Sequence, residues 1–237
     1  PLTARRMTSG EDVVVIFTSD IDIQMLDAAT GDLREHFRSP CEPTIEVHNG
    51  RVVAQGNGCF LPIRLDDLRP ALHYPCHDHG IMGALAVHPT RDIWAALCED
   101  GSLVQGRFDA NEVYDTRSST RLGGPQVALA ARFTSLDRLI VGTALGDVVT
   151  LDTATGAVLA SMPSGFSKVI ALQVAPDERL VLVTASEGGL ALVEPDQGLL
   201  RGRLPVRRAR LARFVGDDVM VAEDRLRTYR VARGAPN

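Results

Sequence analysis

The chain has 237 residues, of which 45% are hydrophobic, 23% charged and 5% aromatic, and a formal net charge of −5. This composition supports one large globular domain or two small ones, and it excludes a disordered tail, a coiled coil and a collagen-like rod. No apolar run approaches the roughly 20 residues of a membrane helix, so membrane insertion is not expected.

The first apolar run, VVVIF, is followed by the turn Ser19-Asp20, by IDIQMLDAATG and by the polar stretch DLREHFR. The same succession then returns. RVVA, Asn57-Gly58 and FLPIRLDDLRP come next, then IMGALAVHP, IWAALC, Asp100-Gly101 and SLVQGRFDANE. VALAARF, RLIVGT, Gly146-Asp147, DVVTLDTATGA and AVLASM form another set, followed by VIALQVAP, RLVLVTA, Gly188-Gly189, GLALVEPDQG and LLRGRL. The chain closes on RARLARF, VMVA and RLRTYRVARG. Continuous apolar runs indicate strands buried on both faces, and the small polar pairs between runs suit hairpins. Gly56-Asn57-Gly58 reads as such a hairpin turn, because no helix follows it to cradle a phosphate.

An acid closes the third run of five units: Asp27, Asp66, Asp109, Asp152 and Glu194, spaced by 39, 43, 43 and 42 residues. Units of about 40 residues with four short strands each are the signature of a β-propeller blade. The expected fold is therefore all-β, a propeller of about six four-stranded antiparallel blades in a single domain. The blades fall near 1–40, 41–78, 79–121, 122–164, 165–205 and 206–237. The last blade has no outer strand in this reading, so a closing strand or a seventh blade would come from elsewhere. Because the chain opens on Pro1, it is expected to be a fragment of a longer protein.

HDHGIMGALAVHPTRDIWAALCEDGSLVQGRFD resembles a blade of the WD-repeat propellers: a His ahead of the first strand, a His-Pro, an Asp-Gly hairpin and a closing Asp. VIALQVAPDERLVLVTASEGGLALVEPD follows the same plan. The Trp that precedes the closing acid in that family is replaced by Leu26, Leu65, Phe108, Leu151 and Val193, and the Gly-His pair is absent. MLDAATGDL and TLDTATGAVL are also similar to repeats of quinoprotein-type propellers.

His73, Cys76, His77, Asp78 and His79 form the densest group of ligand-type residues. They lack metal-ligand spacing, so no metal or other cofactor is expected. The WD-repeat resemblance implies instead that His77 or His79 bonds Asp100 and braces the blade. The five recurring acids, Asp27, Asp66, Asp109, Asp152 and Glu194, read as strand-end turn residues, since one active site would not need a carboxylate in every blade. Trp94 lies in an apolar run and reads as core. No nucleophile-elbow, zinc-protease or P-loop pattern occurs, and no catalytic residue is assigned.

Residues 201–237 carry ten arginines against Asp217, Asp218, Glu223 and Asp224, a net of +6 that leaves −11 for the first 200 residues. Arg201, Arg203, Arg207, Arg208, Arg210 and Arg213 are therefore the candidate partner-binding residues, suited to an acidic protein surface. No aromatic side chains interleave them, which disfavours single-stranded nucleic acid. The four cysteines, Cys41, Cys59, Cys76 and Cys98, include no CxxC pair, no secretory signal opens the chain, and both fit a reducing, cytoplasmic setting. The functional expectation is a non-catalytic protein–protein interaction scaffold within a larger protein or assembly. A propeller enzyme of quinoprotein or lactonase type using the central opening is the alternative, and binding of an anionic partner or nucleic acid through the Arg-rich end is a weaker one.

Overall fold

The computed structural model describes residues 6–10, 13–17, 22–39, 44–48, 51–56, 58–64, 70–108, 113–119, 128–206, 208–209, 211–216, 218–223 and 226–231. Among them there is no helix, and the strands form six antiparallel sheets, each a meander in which sequence neighbours pair. The chain divides into two compact units, residues 1–119 and 120–237, with three sheets in each.

In the first unit, sheet 1 comprises β1 (Arg6–Gly10), β2 (Val13–Phe17), β3 (Asp22–Asp27) and β4 (Leu33–Arg38). Sheet 2 holds β5 (Thr44–His48), β6 (Arg51–Gly56) and β7 (Cys59–Arg64). Sheet 3 holds β8 (Met82–Val87), β9 (Ile93–Cys98), β10 (Leu103–Phe108) and β11 (Val113–Ser119). In the second unit, sheet 4 comprises β12 (Ala128–Phe133), β13 (Arg138–Thr143), β14 (Asp147–Asp152) and β15 (Val158–Pro163). Sheet 5 follows with β16 (Val169–Val174), β17 (Val181–Ala185), β18 (Leu190–Glu194) and β19 (Leu199–Arg203). Sheet 6 has β20 (Leu211–Val215), β21 (Asp218–Ala222) and β22 (Leu226–Arg230).

The doubly buried runs are explained by where the core sits, which within each unit is between successive sheets. In sheet 5, Val181, Val183, Ala191 and Val193 pack toward sheet 4 with Ile140 and Val148. Their sequence neighbours Leu182, Leu190 and Leu192 point the other way, against Val219 and Val221 of sheet 6. Sheet 2 divides alike: Val52, Ala54, Leu61 and Ile63 meet Ile23 and Met25 of sheet 1, while Val53 and Phe60 meet Trp94 of sheet 3. A period-2 strand with both faces covered needs apolar residues at every position. Outer strands cover nothing on one side, and β19 is exposed along its whole length.

Two structural features depart from the sequence expectation. Sheet 2 has three strands among the described residues instead of four. In place of an outer strand, two isolated bridges join β7 to the following segment, Phe60 with His73 and Ile63 with Pro70. Phe60 and His73 exchange both amide bonds, and Ala71 donates its amide to the Pro62 carbonyl at 3.1 Å, but Pro62 in β7 has no amide hydrogen to return, so the ladder is incomplete there. The second departure concerns the cysteines, which are not free thiols. Cys76 and Cys98 form a disulfide across 22 residues, and Cys59 is disulfide-bonded as well. By the chain-entropy relation a loop of that length restricts the unfolded chain by about 3 kcal/mol. The ground for reading a reducing compartment from these cysteines is thereby removed.

β-Bulges recur at equivalent places. In all four four-stranded sheets the outer strand slips by one residue against its neighbour, skipping Arg34, Thr116, Leu159 and Arg201. A bulge adds local twist and redirects one side chain, here at the same step of each unit.

Candidate functional site

The repeated acids sit in tight turns that close the third strand. Asp27 Oδ1 accepts the amides of Ala29 and Thr30, both at 2.9 Å, and Gly31 donates its amide to the Asp27 carbonyl. In sheet 4, Asp152 Oδ1 accepts the Thr155 amide at 2.7 Å and its hydroxyl at 2.8 Å, and Gly156 donates to the Asp152 carbonyl. Gly31 and Gly156 have φ of 75° and 72°, a conformation that L side chains rarely adopt, which is why both turns carry glycine four residues after the acid. Glu194 occupies the same place in sheet 5, with Gly198 at φ 60°. Asp66 and Asp109 lie outside the described residues.

The bulges complete these turns. Arg34, the residue skipped by the slip in β4, reaches back to Asp27 Oδ2 with Nε at 3.1 Å and a second nitrogen at 2.5 Å. Arg201, at the equivalent bulge in β19, grips Glu194 Oε1 at 2.6 and 2.5 Å. Arg34 first, then the Thr30 and Ala29 amides, hold the Asp27 carboxyl down to a pKa of about 2. Asp152 is also held below the ordinary carboxylate range, chiefly by the Thr155 hydroxyl and amide. An Arg seven residues after the strand-end acid was a signal present in the sequence of both units.

In sheets 3 and 5 the loop that enters the sheet is fastened to a hairpin of that same sheet. His79 Nδ1 lies 3.3 Å from Asp100 Oδ2, and Asp100 also accepts the Ser102 amide at 2.8 Å and hydroxyl at 2.9 Å. The Ser102 donors first, and His79 after them, keep the Asp100 carboxyl below its ordinary pKa. His77 has a different place: it is exposed and pairs with the exposed Asp78 at 2.9 Å. In sheet 5 the corresponding fastening uses Ser167, whose amide and hydroxyl donate to Glu187 at 3.2 and 3.1 Å. The Glu187 pKa is lowered by its own backbone amide and then by that of Ser167.

Adjacent sheets are also joined by polar bonds, most of them between residues about one repeat apart. Ser135 donates its amide (2.8 Å) and hydroxyl (2.6 Å) to Glu178, and Thr150 donates its hydroxyl to the Pro195 carbonyl at 2.9 Å. Arg51 pairs with Asp92 and Arg138 with Asp196, and the Phe214 amide donates to Gln173 at 2.8 Å. The separations of Ser135–Glu178 and Arg51–Asp92, 43 and 41 residues, match the repeat length, so these pairs were legible only once the period was known.

The arginine cluster does not form one free basic face. Arg201 is engaged by Glu194; Arg203 donates to the Gly165 carbonyl at 3.1 Å and lies over the Phe166 ring. Arg208 donates its backbone amide to Glu223 at 3.4 Å and keeps an exposed side chain, as does Arg213. Arg207 and Arg210 lie outside the described residues. The outer strands β4, β15 and β19 are mixed in polarity, and each opens on an exposed apolar residue. The first residues of β4, β15 and β19, Leu33, Val158 and Leu199, are 58%, 51% and 42% exposed, and Leu159 and Leu200 beside them are exposed too. Among the described residues no group of three or more His, Cys, Asp and Glu side chains is placed to hold a metal ion.

No protein-family profile and no curated protein sequence matches this chain. Solved structures do. The β-propeller domain of Cps50 (Swd1) from Myceliophteria thermophila superposes with a TM-score of 0.73 at 15% identity, over 92% of this chain and 79% of that one. Hsv2 from Kluyvelomyces marxianus gives 0.69 at 10% identity, over 91% and 73%. BamB from Moraxella catarrhalis gives 0.64 at 15% identity, over 92% and 70%. The fold is a β-propeller. Its likeness runs both to WD40 propellers and to a quinoprotein-like one, as the two kinds of repeat resemblance in the sequence imply.

Proposed function

We propose that this propeller is a non-catalytic protein–protein interaction scaffold that works within a larger protein or multi-subunit assembly. The observation that carries the reading is the exposed apolar side chain opening each outer strand whose side chains are described: Leu33, Val158 and Leu199. A partner docking along the outer edges would cover these positions. The polar residues of the repeat support the same reading, because Asp27, Asp152, Glu194, Glu178 and Glu187 are bonded within turns or between sheets. Such a framework is stiff and holds its surfaces in fixed relation for partners.

Affinity purification of the tagged full-length protein, under mild crosslinking, tests this. The expected result is a reproducible partner that is lost from Val158→Asp/Leu199→Asp while the variant keeps its thermal transition. A protein that migrates alone from extract, or a partner indifferent to both substitutions, overturns the reading. The exposed Arg208 and Arg213 side chains favour an acidic rather than a basic partner surface. Charge reversal at these two positions is expected to slow association and flatten its salt dependence.

A further inference from the structure

The segment 74–81 joins the last residue bridged to β7, His73, to the start of β8, and it is longer than segment 164–168, which joins β15 to β16. It turns on itself through His77 N–H to the Tyr74 carbonyl (3.4 Å) and His79 N–H to the Cys76 carbonyl (2.9 Å). Tyr74, His77, Asp78 and Ile81 face solvent. Its attachments to the rest of sheet 3 converge on three consecutive residues. Cys76 is bonded to Cys98, Glu99 donates its amide to the Ile81 carbonyl at 2.9 Å, and Asp100 meets His79. Segment 164–168 is held without a covalent bond, by Ser164 to the Gly146 carbonyl and Ser167 to Glu187.

We propose that Cys76–Cys98 is an oxidative lock on segment 74–81, and that the surface this segment presents is organised only where a disulfide-class oxidant is at hand. The closing step is thiol–disulfide exchange. One cysteine thiolate attacks an oxidised glutathione, releasing one glutathione thiol and leaving a mixed disulfide. The second cysteine then displaces the other glutathione, so that two cysteine thiols are oxidised and two glutathione thiols are formed. Once closed, the bridge is shielded, since both cysteines are 1% exposed and packed with Phe60, Met82, Leu85 and Trp94. Opened, the two thiols are small apolar groups that the same cluster accommodates. Sheet 3 therefore keeps its strands, and the effect is confined to the segment.

Cys76→Ala/Cys98→Ala in the full chain, which leaves the Cys59 bridge intact, tests the proposal by hydrogen exchange read by mass spectrometry. Amides of 74–81 are expected to exchange at least about tenfold faster than in oxidised wild type, with β12–β19 unchanged. Wild type produced in a reducing host should show the same rise, with Cys76 and Cys98 alkylated after denaturation, and should lose it on treatment with oxidised glutathione. Unchanged exchange in 74–81 overturns the proposal. So does unfolding of the whole chain by the double substitution, which would make the bridge a staple of sheet 3 rather than a lock on its loop.

Discussion

Leu182 and Val183 are neighbours in β17 that enter two different cores, and truncating each should loosen a different side of sheet 5. Leu182 is 1% exposed and packs with Leu190, Val219 and Val221, whereas Val183 is fully buried with Ile140, Val148 and Val193. Leu182→Ala deletes three carbons, worth about 2.4 kcal/mol at about 0.8 per methylene. The cavity left between two sheets raises the expected loss to about 3–4 kcal/mol. Val183→Ala deletes two carbons and should cost about 2–3 kcal/mol. Leu159→Ala, at the half-exposed bulge of β15, should stay within about 0.5 kcal/mol. Urea unfolding followed by circular dichroism measures the losses, and hydrogen exchange locates them. In a repeat fold, stability is a sum of unit and interface terms. Leu182→Ala should therefore speed exchange in β20–β22, and Val183→Ala in β12–β15. If both variants loosened the same amides equally, or if Leu182→Ala cost less than about 1 kcal/mol, the assignment of one core to each inter-sheet face would be wrong.

The four depressed carboxyls, Asp27, Asp100, Asp152 and Glu187, contribute stability that is present above their unfolded values and lost as pH falls through the folded ones. Melting temperature should therefore fall from about pH 5 toward pH 2, and less steeply in Asp27→Asn. Carboxyl NMR should give an Asp27 midpoint near 2, and a midpoint near the ordinary 3.8 would remove its ion pair with Arg34 from the argument. Glu178→Ala removes both acceptors of Ser135, so a loss of about 1–3 kcal/mol is expected by chemical denaturation. A Cβ on Gly142 would lie 2.2 Å from Val169 Cγ1, so Gly142→Ala should destabilise by about 1–3 kcal/mol, whereas Gly202→Ala meets nothing within 4 Å and should be neutral or better.

Much of the fold was legible because its period is written in residues with narrow conformational roles. The spacing of Asp27, Asp152 and Glu194 located the ends of β3, β14 and β18, and the apolar runs located the strands with two covered faces. The sixth unit has three strands among the described residues, as its sequence implied, but sheet 2 does not have four there, and Pro62 in β7 has no amide to return to the segment bridged to it. The candidate site was legible only in part. From the WD-repeat resemblance His77 and His79 were equal candidates for Asp100, and the turn formed by His79 N–H on the Cys76 carbonyl is what brings His79 and not His77 to it. The basic tail read as one surface in the sequence because composition counts charges and not their partners. Arg201 and Arg203 are occupied by Glu194, Gly165 and Phe166.

The sequence by itself determined the repeat, its length and the strand order within each unit, since these depend on side-chain patterning and turn chemistry over a few residues. Tertiary structure decided which polar groups are already bonded and which cysteines join. Ser135 meets Glu178, Arg51 meets Asp92 and Cys76 meets Cys98 only when chain segments distant in sequence are packed side by side. Such pairs leave no local periodicity to read. Local pattern encodes the strand, and only packing in three dimensions decides which side chains remain free for a partner.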